Sequence, residues 1–148
     1  MATYLTPNKL KPTEAAYIAG LIDGEGTVTL SRKHRNDNRQ LAISISNTEK
    51  ALLDYVLQVV GAGKITNKHI TRPQHTPSFT YAIYNRQALA LLEQVHPYLK
   101  TYKAKRSALI IRDYVALTPR NGKYTKDQHL ARKQFETDVL NIKAGNAQ

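Results

Sequence analysis

Hydrophobic positions along the chain follow two periods in turn, and each change of period marks a change of element. In the first helix Ile18, Leu21 and Ile22 recur at helical spacing, with Thr13 as the predicted N-cap. From Thr27 onward polar and apolar residues alternate, which is typical of a half-buried strand. The whole pattern predicts helix 13–23, strand 27–33, strand 40–46, helix 47–60, strand 64–70, strand 79–84, helix 86–95, a helix from about 100–106 to 115, and helix 126–142.

The order of these elements predicts an α+β fold. Because an αββα unit almost repeats, we expect an αββαββα core: a four-stranded antiparallel, saddle-shaped sheet with helices on one face, followed by C-terminal helices. Val115 and Leu130 are assigned to packing faces of the last two helices. The 148 residues fit one domain, 1–148, with an N-terminal arm over 1–12 and a frayed tail over 144–148.

The outward positions of the predicted strands and turns are polar and basic. Twenty-two Lys and Arg against eleven acids give a formal net charge of +11, which suits a protein that binds a polyanion. A sheet face of this kind fits the major groove of double-stranded DNA. The alternative is a solvated sheet surface with a generic positive charge. The candidate DNA-binding residues are Thr27, Thr29, Ser31, Lys33, Arg35, Arg39, Gln40, Ser44, Lys64, Thr66, Lys68, Arg72, Thr80 and Tyr84.

Composition argues against several other classes of protein. The chain has no cysteine, so it can form neither a disulfide framework nor a thiolate metal site. It has no apolar run of about 18 residues or more, and its N-terminus lacks the apolar segment of a signal peptide. We therefore expect an intracellular protein with no membrane partner, in the cytoplasm of a prokaryote or in an organelle.

Residues 17–26, Tyr-Ile-Ala-Gly-Leu-Ile-Asp-Gly-Glu-Gly, break two local rules of helix formation. Gly20 and Gly24 each cost about 1 kcal/mol relative to Ala, and Asp23 and Glu25 stand at the negative end of the helix dipole. Small residues allow a second helix to approach closely, and carboxylates at this end favour a bound cation. An ordinary amphipathic helix with a glycine C-cap is the plainer alternative, but the broken rules favour a functional site.

This stretch resembles the signature helix of the LAGLIDADG homing endonucleases, and the resemblance extends from about residue 13 to 115. It implies that Glu25, where many members have Asp, and the backbone carbonyl of Gly24 bind Mg²⁺, with Mn²⁺ or Ca²⁺ able to replace it in binding. It also implies that Asn47 orders solvent around the nucleophile and that Lys103 lies near the scissile phosphate. Lys100 and Lys105 are alternatives to Lys103, and Asn47 is equally a candidate helix N-cap.

The chain carries one signature motif, whereas cleavage of both strands requires two. The resemblance therefore implies a homodimer, with Ala19, Gly20 and Asp23 at its interface. The implied function is a site-specific homing endonuclease, encoded in a mobile intron, that cleaves both strands of a long, pseudo-palindromic double-stranded DNA site. The alternative is a non-cleaving DNA- or RNA-binding protein on the same scaffold, either an intron maturase or a transcription regulator.

Overall fold

Helices and strands follow one another in the predicted order. The computed structural model describes residues 6–67 and 76–145. Within these ranges the elements are α1 (Pro12–Glu25), β1 (Gly26–Ser31), β2 (Gln40–Asn47), α2 (Lys50–Val60), β3 (Lys64–Asn67), β4 (Phe79–Tyr84), α3 (Asn85–Val95), a 3-10 helix (His96–Tyr98), α4 (Tyr102–Asp113) and α5 (Lys126–Asn141).

The four strands form one antiparallel sheet in the order β1-β2-β4-β3. The register places Ile43 opposite both Val28 and Ile83, and it places Ile45 opposite Tyr81. All of these side chains are buried, because period-two alternation turns them to the same face of the sheet. The predicted α+β class and four-stranded antiparallel sheet are confirmed.

Helix α1 packs on the apolar face of the sheet and leads into β1 without a loop. Ile18 and Ile22 are completely buried in the same core as the strand residues. Gly26 makes the direct junction possible: a Cβ atom at this position would lie 2.7 Å from the Cα of Ile22 and 3.0 Å from the carbonyl oxygen of Ser44. The last residue of α1, Glu25, is thereby held at one edge of the sheet.

The ends of α1 differ from the prediction. Thr13 is not the N-cap, because the helix begins at Pro12, whose fixed φ and missing N–H suit the first helical position. The N-cap is Lys11, and its backbone N–H donates to the Glu14 carboxylate at 2.8 Å. At the other end the helix continues through Gly24 to Glu25, and Gly26 caps it in an extended conformation. No left-handed glycine stops this helix.

Two apolar residues assigned to the core are exposed. Val115 lies beyond the end of α4 and is 49% exposed, while Leu130 is 61% exposed. Leu130 lies near the start of α5, in a stretch (residues 125–131) whose side chains are all exposed. The core contribution of α5 starts one turn later, with Phe135 and Val139.

The strand predicted over 64–70 is observed as β3 over Lys64–Asn67, and its remainder lies outside the described residues. None of the described helices is long and apolar enough to cross a membrane.

Candidate functional site

The carboxylate of Glu25 is exposed at the end of α1 and bonds to one side chain across the hairpin. Asn47, the last residue of β2, donates from Nδ2 to Glu25 Oε2 at 2.5 Å. The Asn47 amide is itself oriented, because its Oδ1 accepts the backbone N–H of Glu49 at 2.7 Å. Asn47 is not the N-cap of α2, which is Glu49. Its amide oxygen instead closes a local turn ahead of α2, and its amide nitrogen contacts Glu25.

Lys103 lies against the C-terminus of α1. Its Nζ donates to the carbonyl oxygens of Ile22 at 2.7 Å and Asp23 at 2.9 Å, and the residue is only 7% exposed. The Ile22 oxygen also accepts the backbone N–H of Gly26. The ammonium group adds a donor for these last carbonyls and opposes the negative end of the helix dipole. Burial lowers the pKa of Lys103, and the nearby Asp23 carboxylate partly counters that shift.

The other two candidate lysines are placed differently. Lys100 contributes its backbone N–H to Asp23, and its side chain is exposed, as is that of Lys105. Of the three lysines, Lys103 is the one whose ammonium group is hydrogen-bonded to the C-terminal end of α1, at the carbonyls of Ile22 and Asp23.

Asp23 joins α1 to the start of α4. Its carboxylate accepts the backbone N–H of Lys100 at 2.7 Å, the backbone N–H of Thr101 at 3.2 Å and the Thr101 hydroxyl at 2.6 Å. Partial burial by itself raises the pKa of Asp23, but the bonds from Thr101 and Lys100, with the charge of Lys103, leave the pKa below its usual value. Together with Lys103 these contacts form a reciprocal link between the two helix ends.

The small residues Ala19 and Gly20 of α1 do not share one exposed face, as the predicted interface requires. Ala19 is fully buried in the core of its own chain, because helical periodicity puts it beside Ala15 and Ile22. Gly20 is exposed, and so is Gly24 one turn later; a Cβ atom at either would meet nothing within 4 Å. Of the predicted interface residues, Gly20 therefore lies on the outer face, Ala19 does not, and the Asp23 carboxylate is engaged within the chain.

The exposed face of the sheet carries the strand residues predicted to bind DNA. Each is partly or fully exposed: Thr27, Thr29, Ser31, Gln40, Ser44, Lys64, Thr66, Thr80 and Tyr84. Lys33, Arg35 and Arg39 lie in the turn between β1 and β2, since β1 ends at Ser31. Lys68 and Arg72 fall outside the described residues.

A cleft of about 850 Å³ opens between this turn and the loop that precedes α5. Besides the buried Arg132, five cationic side chains line its walls: Arg32, Lys33, Arg39, Lys64 and Arg120. Asp37 is the single acid among the described residues that line it. The cleft is a strongly positive part of the sheet face.

Sequence reasoning missed eleven of the seventeen residues that line this cleft, among them Arg32, Asn38, Arg120 and Tyr124. Arg120 and Tyr124 belong to a Pro- and Gly-containing loop about 80 residues after the hairpin, so no local pattern links them to the sheet. Asn38 Oδ1 is the only buried side-chain nitrogen or oxygen without a hydrogen-bond partner in the described part of the chain. The excess of basic residues was the one available signal.

No group of three or more His, Cys, Asp or Glu residues able to hold a metal occurs within 6–67 and 76–145. Because the nearby Asp23 carboxylate is engaged by Lys100 and Thr101, a divalent ion at α1 would take Glu25 as its one carboxylate from this chain. Backbone carbonyl, water and phosphate oxygens would complete its coordination. Mg²⁺ is commonly bound in this way.

Comparison with known proteins gives a consistent picture. A family model described as a LAGLIDADG-like domain matches residues 12–97. The intron-encoded DNA endonuclease ai2b of Dictyostelium discoideum is 25% identical over 112 residues, which are 73% of this chain and 41% of that protein. The chain thus spans well under half the length of this relative.

Among solved structures, the homing endonuclease I-CvuI in complex with its target superposes with a TM-score of 0.71 at 15% identity, covering 93% of this chain and 86% of that one. The archaeal intron-encoded homing endonuclease I-Vdi141I complexed with DNA gives a TM-score of 0.69 at 16% identity, covering 92% and 87%. I-SmaMI bound to uncleaved DNA gives 0.64 at 21% identity, covering 93% of this chain and 47% of that chain. At these identities the likeness concerns the fold.

Proposed function

The chain belongs to the LAGLIDADG homing endonuclease family, and from that premise we propose that it is a metal-dependent DNA endonuclease. The observation that carries the proposal is the placement of Glu25. Its carboxylate is exposed at the end of α1, is oriented by Asn47, and adjoins a basic sheet face. An acid at the negative end of a helix dipole is unfavourable without a cation, so the site favours a bound divalent ion.

We assign the metal to Glu25 and the backbone carbonyl of Gly24, with Mg²⁺ as the expected ion and Mn²⁺ or Ca²⁺ able to replace it in binding. A carboxylate and a carbonyl are the hard oxygen ligands that Mg²⁺ prefers. When bound, the ion polarises the scissile phosphate and lowers the pKa of a coordinated water. One relative, I-CvuI, was crystallised with DNA twice, once in the presence of Ca and once in the presence of Mg, which supports a divalent ion in this family.

The remaining roles follow from the contacts at α1. Asn47 holds the Glu25 carboxylate and presents an amide to solvent next to it. Lys103 contributes positive charge at the same helix end, where it stabilises charge that develops on the phosphate. Both roles were assigned from the sequence, and the observed contacts are compatible with them.

We propose double-stranded DNA as the substrate and the sheet face as the reading surface. Antiparallel sheets and two-stranded ribbons can enter the major groove and contact base edges. Polar side chains along β1 to β4 suit base contacts, while the cations around the cleft suit phosphates. The relatives I-CvuI and I-Vdi141I were solved in complex with DNA.

We further propose that the protein acts as a homodimer, cleaves both strands of a long pseudo-palindromic site, and is encoded in a mobile intron. One Glu25 per chain supplies one acid, so two strands call for two chains about a two-fold axis. Exposed Gly20 and Gly24 on α1 support close helix pairing, since neither carries a side chain that would hold a partner away. Two of the relatives are described as intron-encoded. Location in the cytoplasm of a prokaryote or in an organelle remains part of the proposal.

Selection of cleaved sites from a randomised duplex library with Mg²⁺ tests the enzyme directly. Wild type should yield a defined site and Glu25→Gln should not, while both retain DNA binding. Glu49→Gln is the matched control, because it makes the same change at an exposed position on the neighbouring turn. A wild-type protein that binds DNA tightly but cuts no member of the library would support a non-cleaving binder, such as a maturase or regulator, instead.

A further inference from the structure

A buried ion pair on α5 links segments that are far apart in the sequence. The Arg132 guanidinium is 1% exposed and the Glu136 carboxylate 5%, and Arg132 Nε donates to Glu136 Oε2 at 3.2 Å. Burying such a pair removes two charges from water, which is costly unless further hydrogen bonds satisfy both groups. Arg132 and Glu136 both make such further hydrogen bonds, and these bonds go to segments distant in sequence.

Both members of the pair hold the backbone of Arg39, at the base of the β1–β2 turn. Arg132 donates from Nη2 to the Arg39 carbonyl at 2.5 Å, and the Arg39 N–H donates to Glu136 Oε2 at 3.1 Å. The backbone N–H and carbonyl of Arg39 are thus both hydrogen-bonded to side chains of α5, which are 93 or more residues away in sequence. The turn itself contributes three of the five cations at the cleft, Arg32, Lys33 and Arg39.

The same guanidinium also holds the opposite wall of the cleft. From Nη1 it donates to the Leu117 carbonyl at 2.7 Å and to the Thr118 hydroxyl at 2.6 Å. Arg120, the cation on that wall, follows two residues later. The Arg132 guanidinium is supported by the rings of Tyr114 at 5.0 Å and Phe135 at 5.7 Å, so its position is set by the core.

We propose that Arg132 and Glu136 are positioning residues for DNA binding: one buried ion pair sets the spacing between the two cationic walls of the cleft. This inference rests on the proposed DNA-binding function of the sheet face. The cleft lies at the opposite end of β1 from Glu25, six residues away, or about 20 Å at the rise of a strand. The pair therefore acts on how the protein holds DNA far from the cleavage centre.

The test separates positioning from stability with a charge-neutral double variant, Arg132→Met with Glu136→Leu. Apolar replacement of a buried ion pair of similar volume is often tolerated by the fold. Binding to a long mixed-sequence duplex is measured over a range of salt concentrations on protein shown to be folded by circular dichroism. We expect binding about tenfold weaker and a salt slope reduced by about 2, the loss of two phosphate contacts at about 0.9 each.

Arg106→Met is the matched control. Arg106 is also buried, and its guanidinium donates to carbonyl oxygens of Val28 and Ile142, away from the cleft. Its replacement should leave the salt slope unchanged. Arg39→Ala alone should reduce the slope by about 1, and adding it to the double variant should reduce the slope no further, because the turn is already out of place.

The outcomes distinguish this inference from the function it rests on. Wild type that fails to bind the duplex would overturn both. Wild type that binds, together with a folded double variant of unchanged salt slope, would overturn the positioning role alone. If the double variant does not fold, Glu136→Gln is measured in its place: it keeps the side-chain size and should still lower the slope, and an unchanged slope rejects the proposal.

Discussion

The amide of Asn47 donates to the carboxylate of Glu25 although 22 residues separate them. The hairpin accounts for the contact: Gly26 pairs with Ile45, so the last residue of α1 and the last residue of β2 meet at one edge of the sheet. An amide donor fixes the direction of a carboxylate without neutralising it. The contact with Asn47 therefore orients the Glu25 carboxylate and leaves it negatively charged, as binding of a cation requires.

Replacing Asn47 should therefore impair cleavage more than DNA binding. Asn47→Ala removes the donor to Glu25, and loss of such an outer partner of a metal ligand typically lowers activity or metal affinity by about 10- to 100-fold. Asn47→Asp keeps an acceptor for the Glu49 N–H but places a second negative charge beside Glu25. Asn47→Asp should change the Mg²⁺ concentration required for cleavage at least as much as Asn47→Ala does. Single-turnover cleavage titrated with Mg²⁺ gives the measurement.

Thr48→Ala provides the control for this substitution, since Thr48 is exposed between Asn47 and Glu49. It should cleave at the wild-type rate. Equal Mg²⁺ dependence of wild type and Asn47→Ala would show that the contact does not support the metal ligand.

Sequence reasoning predicted the fold because helices and strands follow local hydrophobic periods, and the structure brings two of its candidate site residues, Glu25 and Asn47, into contact. Alternation placed Val28, Leu30 and Ile43 on the buried face, and the motif itself carried Glu25. The assignment of Ala19 to the interface failed because the side of a helix that faces its own sheet depends on tertiary packing. The role of Arg132 was out of reach for the same reason: a basic residue on a polar helix gives no sign that it will be buried.

Lys103 should stabilise the fold through the end of α1. Lys103→Met keeps most of the side-chain volume but removes the ammonium donor to the carbonyl oxygens of Ile22 and Asp23, of which Ile22 still accepts the backbone N–H of Gly26. Hydrogen bonds to charged groups contribute about 1.5–3 kcal/mol each to measured stability changes, so we expect a loss of about 2 kcal/mol in the free energy of unfolding. Urea denaturation measures it.

Lys100→Met serves as the comparison for Lys103→Met, because it removes the same group from an exposed position just ahead of the same helix and leaves the backbone N–H of residue 100 in place. Its effect should stay within about 0.5 kcal/mol, as is usual for surface positions. If both variants unfold at the same urea concentration, the contacts of Lys103 with α1 contribute nothing to stability.

Gly20→Leu should disrupt the proposed dimer and leave the fold intact. A side chain at Gly20 meets open space within the chain, and it replaces a glycine in a helix, which favours the helical state. On a helix pressed against its partner, however, leucine would hold the two backbones apart. Sedimentation should show wild type as a dimer and Gly20→Leu as a monomer with unchanged circular dichroism.

Ala131→Leu places the same leucine side chain at an exposed position of α5 and should remain dimeric. A dimer that survives Gly20→Leu would remove the outer face of α1 from the interface.

Arg120→Ala should weaken DNA binding through the cleft. Arg120 lines its outer wall opposite Lys33 and Arg39, and loss of one phosphate contact should lower the salt slope of binding by about 1. Arg112→Ala makes the same change in charge at an exposed position on α4. A salt titration in which the two variants lose equal slope would mean that net charge, rather than the cleft, accounts for the effect.

Gly63 should be the least replaceable of the exposed-loop glycines, for two reasons that can be separated. Its φ of +101° is rarely adopted by residues with a side chain, and a Cβ atom there would lie 2.7–2.8 Å from the Tyr81 ring and hydroxyl. That ring cannot move away freely: Tyr81 is fully buried, and its hydroxyl donates to the Ala62 carbonyl at 2.6 Å. Gly63→Ala should therefore cost backbone strain and also displace a core residue.

Gly122→Ala isolates the backbone part of that cost, because Gly122 has a φ of +68° but open space around its Cβ position. Strain of this kind costs about 1–3 kcal/mol, so Gly122→Ala should lie in that range. Gly63→Ala should exceed it, since overpacking of a core adds about 1–3 kcal/mol more. Urea unfolding of the two variants gives the loss in free energy of unfolding for each. Equal losses would show that displacement of the Tyr81 ring does not destabilise the protein.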